Sequence, residues 1–299
     1  MRLFVLLSRV PYPLEKGDKL RAYHLIKRLA QKHEIYLYCL SDQNVKPEYV
    51  EHLKEFCTHL RVFTIPRWRI IFSLLRAAFV KMPFQVSYFF HRKADLEIQE
   101  AIRTFKPEHV LCQLVRTSEY VRERFDLRRT LDFMDTLSKG MERREETAPW
   151  YLKPLFREET KRLIRYENLM FDLFDERVII SAQDRDFIYH PDRDSFTIIP
   201  NGVDTEYFHP EEKQKRVDLL FTGNMNYPPN IDSALYLANN ILPKVREILP
   251  KTSLLISGVD PTPRVRELAE NDPLITVTGW VKDIRESYAS AKLFVAPMQ

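Results

Sequence analysis

Glycine and cysteine are scarce in this chain of 299 residues, and each scarcity excludes a class of site. The six glycines form no G-x-G-x-x-G or G-x-x-x-x-G-K-[ST] pattern, so the common dinucleotide and P-loop phosphate sites are excluded. The H-E-x-x-H and G-x-S-x-G patterns of zinc proteases and serine hydrolases are also missing. The three cysteines, Cys39, Cys57 and Cys112, have no C-x-x-C spacing. They are typical of buried thiols in a reducing compartment rather than of a metal or redox site.

Long apolar runs are missing as well. No stretch reaches the roughly 18 uninterrupted apolar residues of a membrane span, and the apolar run at 2–8 is too short for a secretion signal. We therefore expect a cytoplasmic protein. The 46 basic and 42 acidic residues leave a formal net charge of only +4. This small surplus favours no nucleic-acid partner and fits a phosphorylated ligand or an anionic membrane surface.

Short apolar runs alternate with helical patterns along the chain, which predicts parallel βαβ units in the α/β class. The first series of predicted strands lies near 2–8, 35–40, 60–65, 108–114, 129–133 and 176–181. The second lies at 218–222, 253–257, 275–278 and 293–296. We predict two domains, 1–180 and 181–299, each with an open sheet covered on both faces.

Glycines follow directly after three strands of the second series, at Gly223, Gly258 and Gly279. The carboxyl ends of parallel strands are where open α/β sheets bind ligands, so these glycines predict close backbone approach there. Ordinary turn glycines are the alternative for each. The dipeptide Asn201-Gly202, after Pro200, predicts a tight turn because both residues take positive φ at low cost.

The loop after the first strand leads into a helix that begins near Asp18. Gly17 allows close backbone approach, free amides at a helix start favour an anion, and Lys16, Lys19 and Arg21 add positive charge. A solvated loop with an ordinary helix cap is the alternative.

Charged segments carry three further predictions. Residues 158–167 have opposite charges at helical spacing and predict one exposed helix. Asp184-Arg-Asp186 imitates a D-x-D metal motif, but its position at a helix start favours capping, and we expect no metal site. On a helix over 67–82, Arg69 and Arg76 fall on one side, and Ile70, Leu74 and Ala77 fall on another. Either this helix lies in a membrane interface, or it packs on the sheet with its arginines in water.

Four segments in this order resemble glycosyltransferase group 1, family 4, and within it the bacterial exopolysaccharide sugar transferases. The segments are the loop 15–19, Pro-Asn-Gly-Val-Asp…Phe at 200–208, Phe-Thr-Gly-Asn-Met-Asn-Tyr-Pro-Pro-Asn at 221–230, and Val-Thr-Gly-Trp-Val-Lys-Asp…Phe-Val-Ala-Pro at 277–297. The resemblance implies the GT-B fold of two Rossmann-like, doubly wound domains. It also implies a nucleotide-sugar donor, retention at the anomeric carbon, and neither cofactor nor metal.

The resemblance implies roles for individual residues. Gly17, with Lys16 and Lys19, faces the donor diphosphate, and Gly223 allows the second domain to approach the donor. Asn201 and Gly202 lie at the hinge. Trp280 and Val281 border the nucleobase by their backbone. Asp132 and Asp135 lie on the acceptor side, where one of them binds a hydroxyl; a helix cap is the alternative for Asp135.

Two departures from the family pattern bear on activity. An Arg and a Lys that follow the matching glycine in many relatives are replaced here by Asn224, Met225 and Asn226. Other cations must then stabilise the leaving diphosphate. The sequence also stops on a strand, so we expect a truncated second domain and a chain that is weakly active or inactive.

The functional expectation is a retaining hexosyltransferase acting on a saccharide or lipid-linked acceptor in polysaccharide biosynthesis. Peripheral contact with the inner membrane face through 67–82 is an open possibility. Two alternatives stay open: a GT-B nucleotide-sugar epimerase, and an inactive nucleotide-sugar-binding or scaffold protein.

Overall fold

A computed structural model describes residues 1–298, and the chain divides into two compact units after Asn201. The sequence-based boundary after residue 180 lies earlier in the chain. The difference arises because 181–201 returns to the first sheet, where Thr197–Ile198 pairs in parallel with the preceding strand.

The first unit is built on a parallel sheet of seven strands in the order β3-β2-β1-β4-β5-β6-β7. The six strands predicted up to residue 181 are confirmed, and β7 was not predicted. The strands are β1 (Arg2–Leu7), β2 (Glu34–Ser41), β3 (His59–Thr64), β4 (His109–Gln113), β5 (Arg128–Met134), β6 (Glu176–Ile179) and β7 (Thr197–Ile198).

Helices connect these strands as the alternating pattern predicts. They are α1 (Gly17–Leu29), α2 (Pro47–Lys54), α3 (Arg67–Val80), α4 (Phe84–Phe89), α5 (Arg92–Phe105), α6 (Val115–Ser118), α7 (Leu137–Thr147), α8 (Lys153–Leu173) and α9 (Ala182–Asp186), followed by a 3-10 turn at Arg193–Ser195.

Both faces of the first sheet are buried. Along β1, Phe4 and Leu6 pack into one apolar cluster, while Leu3, Val5 and Leu7 pack into another on the opposite face. Such two-sided burial explains why the strands read as continuous apolar runs.

All three cysteines are free and buried in this unit, Cys39 on β2, Cys112 on β4 and Cys57 just after α2. Burial raises the pKa of the Cys57 and Cys112 thiols to about 12 and that of Cys39 well above its ordinary value.

The second unit repeats this scheme with a four-stranded parallel sheet in the order β10-β9-β8-β11. The third, second, first and fourth strands of each series are thus neighbours in both units, which is the Rossmann-like order. Its elements are β8 (Val217–Thr222), α10 (Pro228–Tyr236), a π-helical segment (Leu237–Ile241), α11 (Leu242–Ile248), β9 (Leu254–Ser257), α12 (Pro263–Asn271), β10 (Ile275–Val277), α13 (Ile284–Ser290) and β11 (Ala291–Phe294).

The charged helix predicted at 158–167 lies within α8, but the prediction that it is exposed is wrong. Glu159, Arg162 and Glu167 are all buried. Each binds the end of another helix: Glu159 accepts from the backbone N–H groups of Phe84 and Gln85 at the start of α4, at 2.7 and 2.9 Å. A charge pattern typical of a solvated face is here a set of caps for neighbouring helices.

Candidate functional site

The carboxyl ends of β1, β4 and β5 meet where the strand order of the first sheet reverses, which is the usual ligand position in such sheets. Asp132 of β5 is buried there beside Arg21 of α1, whose Nε donates to Asp132 Oδ2 at 2.7 Å. The backbone N–H of Met134 donates to the other carboxylate oxygen at 3.0 Å. Asp132 is therefore engaged in a buried ion pair that joins α1 to β5.

Asn201 belongs to the same network. Arg21 Nη1 donates to Asn201 Oδ1 at 3.0 Å and to the Ile199 carbonyl at 2.8 Å, which ties the end of the first unit to α1. The tight turn predicted from positive φ is wrong, because among residues 1–298 the glycines with positive φ are Gly258 and Gly279. Gly202 is exposed, and an added Cβ would meet nothing within 4 Å.

Asp135 follows β5 and is exposed. The surrounding protein excludes enough water to raise its pKa, and the negative charge of Asp184 raises it further. The alternative of a helix cap is wrong, because the residue before α7 is Thr136 and the N–H of Ser138 is bound by Glu167. The Asp135 carboxylate therefore does not cap α7.

Glu167 holds the start of α7 in place. It accepts from the Ser138 N–H at 3.0 Å and from the Ser138 hydroxyl at 2.6 Å. Complete burial raises its pKa to about 7, and the charge of Asp135 acts in the same direction. The D-x-D segment nearby is a helix start, where Ser181 Oγ accepts from the Asp184 N–H at 3.0 Å. Within residues 1–298, no group of three or more His, Cys, Asp or Glu is placed to hold a metal ion.

The start of α1 and the residue before it carry three predicted site residues. Gly17 is the first residue of the helix and is exposed, and an added Cβ there would meet no other part of the chain within 4 Å. The fold itself therefore does not require glycine at this position. Lys16 precedes the helix and is exposed, whereas Lys19 Nζ lies 3.8 Å from Glu15.

Two arginines at this edge were not identified from the sequence. Arg9 follows β1 and donates to Asp18 at 2.7 Å, and Arg116 in α6 donates through Nε to Gln85 Oε1 at 3.1 Å. Partial burial and the nearby charge of Arg9 lower the Arg116 pKa to about 10. The position of Arg116 directly after a buried strand is the signal that could have identified it.

In the second unit, the three glycines at strand ends pack against one another. The N–H of Gly223 donates to the Ser257 carbonyl at 3.2 Å, and the N–H of Gly258 donates to the Gly279 carbonyl at 3.1 Å. A Cβ on Gly258, whose φ is +154°, would lie 1.7 Å from the Gly223 carbonyl oxygen. At Gly223 a Cβ would lie 2.7 Å from the Asn230 side chain. Close backbone approach at the sheet edge explains the glycine at 258, whereas at Gly223 the neighbour is the end of a side chain.

An open depression of about 370 Å³ lies beside the ends of β9 and β10, and Trp280 forms part of its wall. Trp280 is 70% exposed, and Val281 beside it is partly exposed. Arg266 contributes a guanidinium whose Nε donates to the Pro261 carbonyl at 3.0 Å. The depression thus combines an aromatic surface, a cation and the polar side chains of Asp260 and Thr278.

Sequence comparison places a known family on this second unit. Residues 216–299 match the family described as Glycosyl transferases group 1. The match lies entirely within the second unit. No curated protein matches the sequence significantly.

The whole chain has the GT-B fold of such transferases. It is similar to sucrose-phosphate synthase from Thermosynechococcus elongatus, with a TM-score of 0.64 and 14% identity, over 100% of this chain and 76% of the synthase. It is similar to TarM, with a TM-score of 0.65 and 8% identity, over 100% of this chain and 80% of TarM. It is also similar to a UDP-GlcNAc 2-epimerase from Neisseria meningitidis, with a TM-score of 0.50 and 11% identity, over 98% of this chain and 77% of the epimerase. At these identities the fold is what is shared.

Within the glycosyltransferase fold, the sequence-predicted residues form separate groups. Asp132, Asp135 and Asn201 lie at the carboxyl edge of the first sheet, and Gly17 follows the loop after β1. Gly223 and Trp280 lie at the corresponding edge of the second sheet. Arg21 was noted from the sequence only as one more positive charge, although it organises the first group.

Proposed function

We propose that this protein is a retaining glycosyltransferase that transfers a sugar from a nucleotide-sugar to a saccharide or lipid-linked acceptor. We assign it to polysaccharide biosynthesis on the cytoplasmic side of a membrane. The observation that carries the proposal is the match of the second unit to the group 1 glycosyltransferases, together with a depression at the ends of two glycine-ended strands, β9 and β10, that has an exposed tryptophan in its wall. Among residues 1–298, no helix has both the length and the apolar character needed to cross a bilayer.

On the donor side, we propose that the Trp280 and Val281 backbone borders the nucleobase and that Gly223 lies near the donor. The residues after Gly223 supply no cation for the leaving diphosphate, since they are Asn224, Met225 and Asn226. Its negative charge must therefore be stabilised by groups elsewhere in the chain. We assign this role to Lys16 and the free N–H groups at Gly17, because anions bind at helix N-termini. In the reaction, the bond from the anomeric carbon to the diphosphate oxygen breaks, and the diphosphate leaves with the electron pair.

On the acceptor side, we assign Asp135 rather than Asp132. Asp132 is buried and paired with Arg21, whereas the Asp135 carboxylate is exposed and unused by the adjoining helix. Asp135 accepts a hydrogen bond from the acceptor hydroxyl and holds it near the reacting carbon. The hydroxyl oxygen bonds to the anomeric carbon on the face that the diphosphate leaves, and its proton passes to the departing phosphate oxygen.

Nucleotide binding tests the donor site directly. UDP is the first probe because the similar epimerase structure contains UDP-GlcNAc, and GDP and ADP follow. Calorimetry with the whole chain is expected to show binding of one nucleoside diphosphate. Trp280→Ala removes the aromatic part of the wall beside that backbone and is expected to weaken binding about tenfold. Trp150→Ala is the matched control, because Trp150 is 83% exposed and lies in the first unit. Equal effects of the two substitutions would contradict the assignment.

Gly17→Ala separates a ligand role from a folding role. Alanine has a higher helix propensity and meets open space, so the free energy of unfolding is expected to stay equal or to rise by up to about 1 kcal/mol. If the donor approaches this residue, nucleotide-sugar binding weakens in the same variant. Unchanged binding would refute the role of Gly17.

Product analysis decides between the activities. A transferase yields free nucleoside diphosphate and a new glycoside, whose anomeric configuration is read by NMR. An epimerase would yield an isomerised sugar still attached to the nucleotide, and a scaffold protein would bind nucleotide without turnover. Because we propose no metal, an excess of chelator is expected to leave the rate unchanged.

A further inference from the structure

Helix α3 packs on the first unit through one face only. Ile70 is buried in the main apolar cluster, Leu74 packs against that cluster, and Ala77 is also buried. The sequence analysis places these three residues on a different side of the helix from Arg69 and Arg76. The interpretation of a helix packed on the protein is therefore correct for this face.

The opposite face of the same helix is also apolar. Trp68, Phe72, Leu75 and Phe79 recur at spacings of four, three and four residues and are 64%, 67%, 62% and 87% exposed. Ile71 borders them and is 62% exposed. We call these five residues the outer stripe. A surface helix normally presents polar residues on its outer face, and a continuous exposed apolar patch marks an interaction site.

The outer stripe is held in place by the fold. Arg162 of α8 is buried and donates through Nη1 to the carbonyl of Ala77, in the last turn of α3, at 2.7 Å. It also donates to the carbonyl of Met82, just beyond the helix, at 3.2 Å. Lys81 takes a left-handed conformation and ends the helix. The apolar side chains are therefore presented outward by a fixed helix.

The chain segment that carries the outer stripe has charges of one sign only. From residue 56 to residue 94 the sequence contains no aspartate or glutamate. Arg67, Arg76 and Lys81 are exposed, and in the described part of the chain none of them has a carboxylate partner. Arg69 lies 4.6 Å from the Trp68 ring, at the border of the stripe. A partner for this surface must accept apolar side chains and supply negative charge.

We propose that the outer stripe docks on an anionic phospholipid bilayer. A helix of 14 residues is about 21 Å long and about 10 Å wide, so it offers roughly 200 Å², well below the ~800 Å² per partner of a stable protein interface. A second copy would also bring like charge against like charge. A bilayer interface accepts a single amphipathic helix to a depth of about 5–10 Å and attracts basic side chains.

Trp68 reports this contact directly. The whole chain has three tryptophans, and replacing Trp150 and Trp280 by phenylalanine leaves Trp68 as the emitting one. Vesicles of phosphatidylglycerol and phosphatidylcholine are expected to bind this variant and shift the Trp68 emission to shorter wavelength. Pure phosphatidylcholine is expected to bind at least tenfold more weakly.

Two further variants, in the native tryptophan background, separate the apolar contribution from the charge. Phe72→Ser with Phe79→Ser is expected to weaken vesicle binding at least tenfold, because each ring no longer enters the bilayer. Phe125→Ser with Ile248→Ser is the matched control, since these residues are 68% and 82% exposed outside the stripe and are expected to leave binding unchanged.

Replacing Arg67, Arg76 and Lys81 by glutamine is expected to remove most of the preference for anionic vesicles, at roughly fivefold per cation. The proposal is overturned by three results: no binding to anionic vesicles, binding without a change in Trp68 emission, or self-association that depends on Phe72 and Phe79 without vesicle binding. None of these measurements requires turnover, so their failure leaves the proposed transferase activity standing.

Discussion

Replacing Glu167 by glutamine isolates the cost of a buried carboxyl group. Glutamine has the same shape, and its amide oxygen can still accept from the Ser138 N–H. The Glu167 pKa is about 7 in the folded chain against an ordinary value of 4.5. Because the folded state holds this proton more tightly, Glu167 favours folding at low pH and loses that contribution as the pH rises from about 4.5 to about 7. The interval corresponds to about 3 kcal/mol.

Urea unfolding of both proteins between pH 4 and pH 8 measures this effect. The free energy of unfolding of the wild type, relative to Glu167→Gln, is expected to fall by about 3 kcal/mol over this range and to stay flat above pH 7. Glu146→Gln is the control, because Glu146 is an exposed glutamate of α7 and its loss is expected to change stability by less than about 0.5 kcal/mol at every pH.

A difference between wild type and Glu167→Gln that is constant from pH 4 to pH 8 would refute this reasoning. It would mean that Glu167 keeps an ordinary pKa although it is fully buried beside Ser138.

Three further substitutions test other parts of the structure. Gly258→Ala forces a Cβ to within 1.7 Å of a neighbouring carbonyl oxygen, so we expect a loss of more than about 4 kcal/mol or no folded second unit, measured by thermal unfolding. Arg21→Ala leaves the Asp132 carboxylate buried without its partner, and a loss of about 3–5 kcal/mol is expected; a loss below 1 kcal/mol would refute the structural role of the pair. Asp135→Asn is expected to lower the transfer rate at least tenfold while changing the free energy of unfolding by less than about 1 kcal/mol, and an unchanged rate would remove Asp135 from the acceptor site.

The sheets could be predicted from the sequence because the strands are buried on both faces and therefore read as unbroken apolar runs. β1 is the clearest case, since its alternate residues enter two different clusters. β7 has two residues, Thr197 and Ile198, and both are exposed, so it leaves no such signal.

Non-local contacts set the limit of prediction. Arg21 and Asp132 lie 111 positions apart, and nothing in their local sequence links them. For the same reason the charge pattern of α8 predicts an exposed helix. The sequence does not show that Arg162 reaches the end of α3. In α3 itself the apolar residues surround much of the helix, and only the fold shows which of them face the protein.

The location of the cysteines makes the first unit separately observable. Cys39, Cys57 and Cys112 all lie in that unit, and the chain has no others. In the folded protein they are buried and protonated, so a thiol-specific label reacts slowly until the first sheet opens. The labelling rate in increasing denaturant therefore follows the opening of the first unit alone and, compared with total tryptophan emission, tells whether the two halves unfold together.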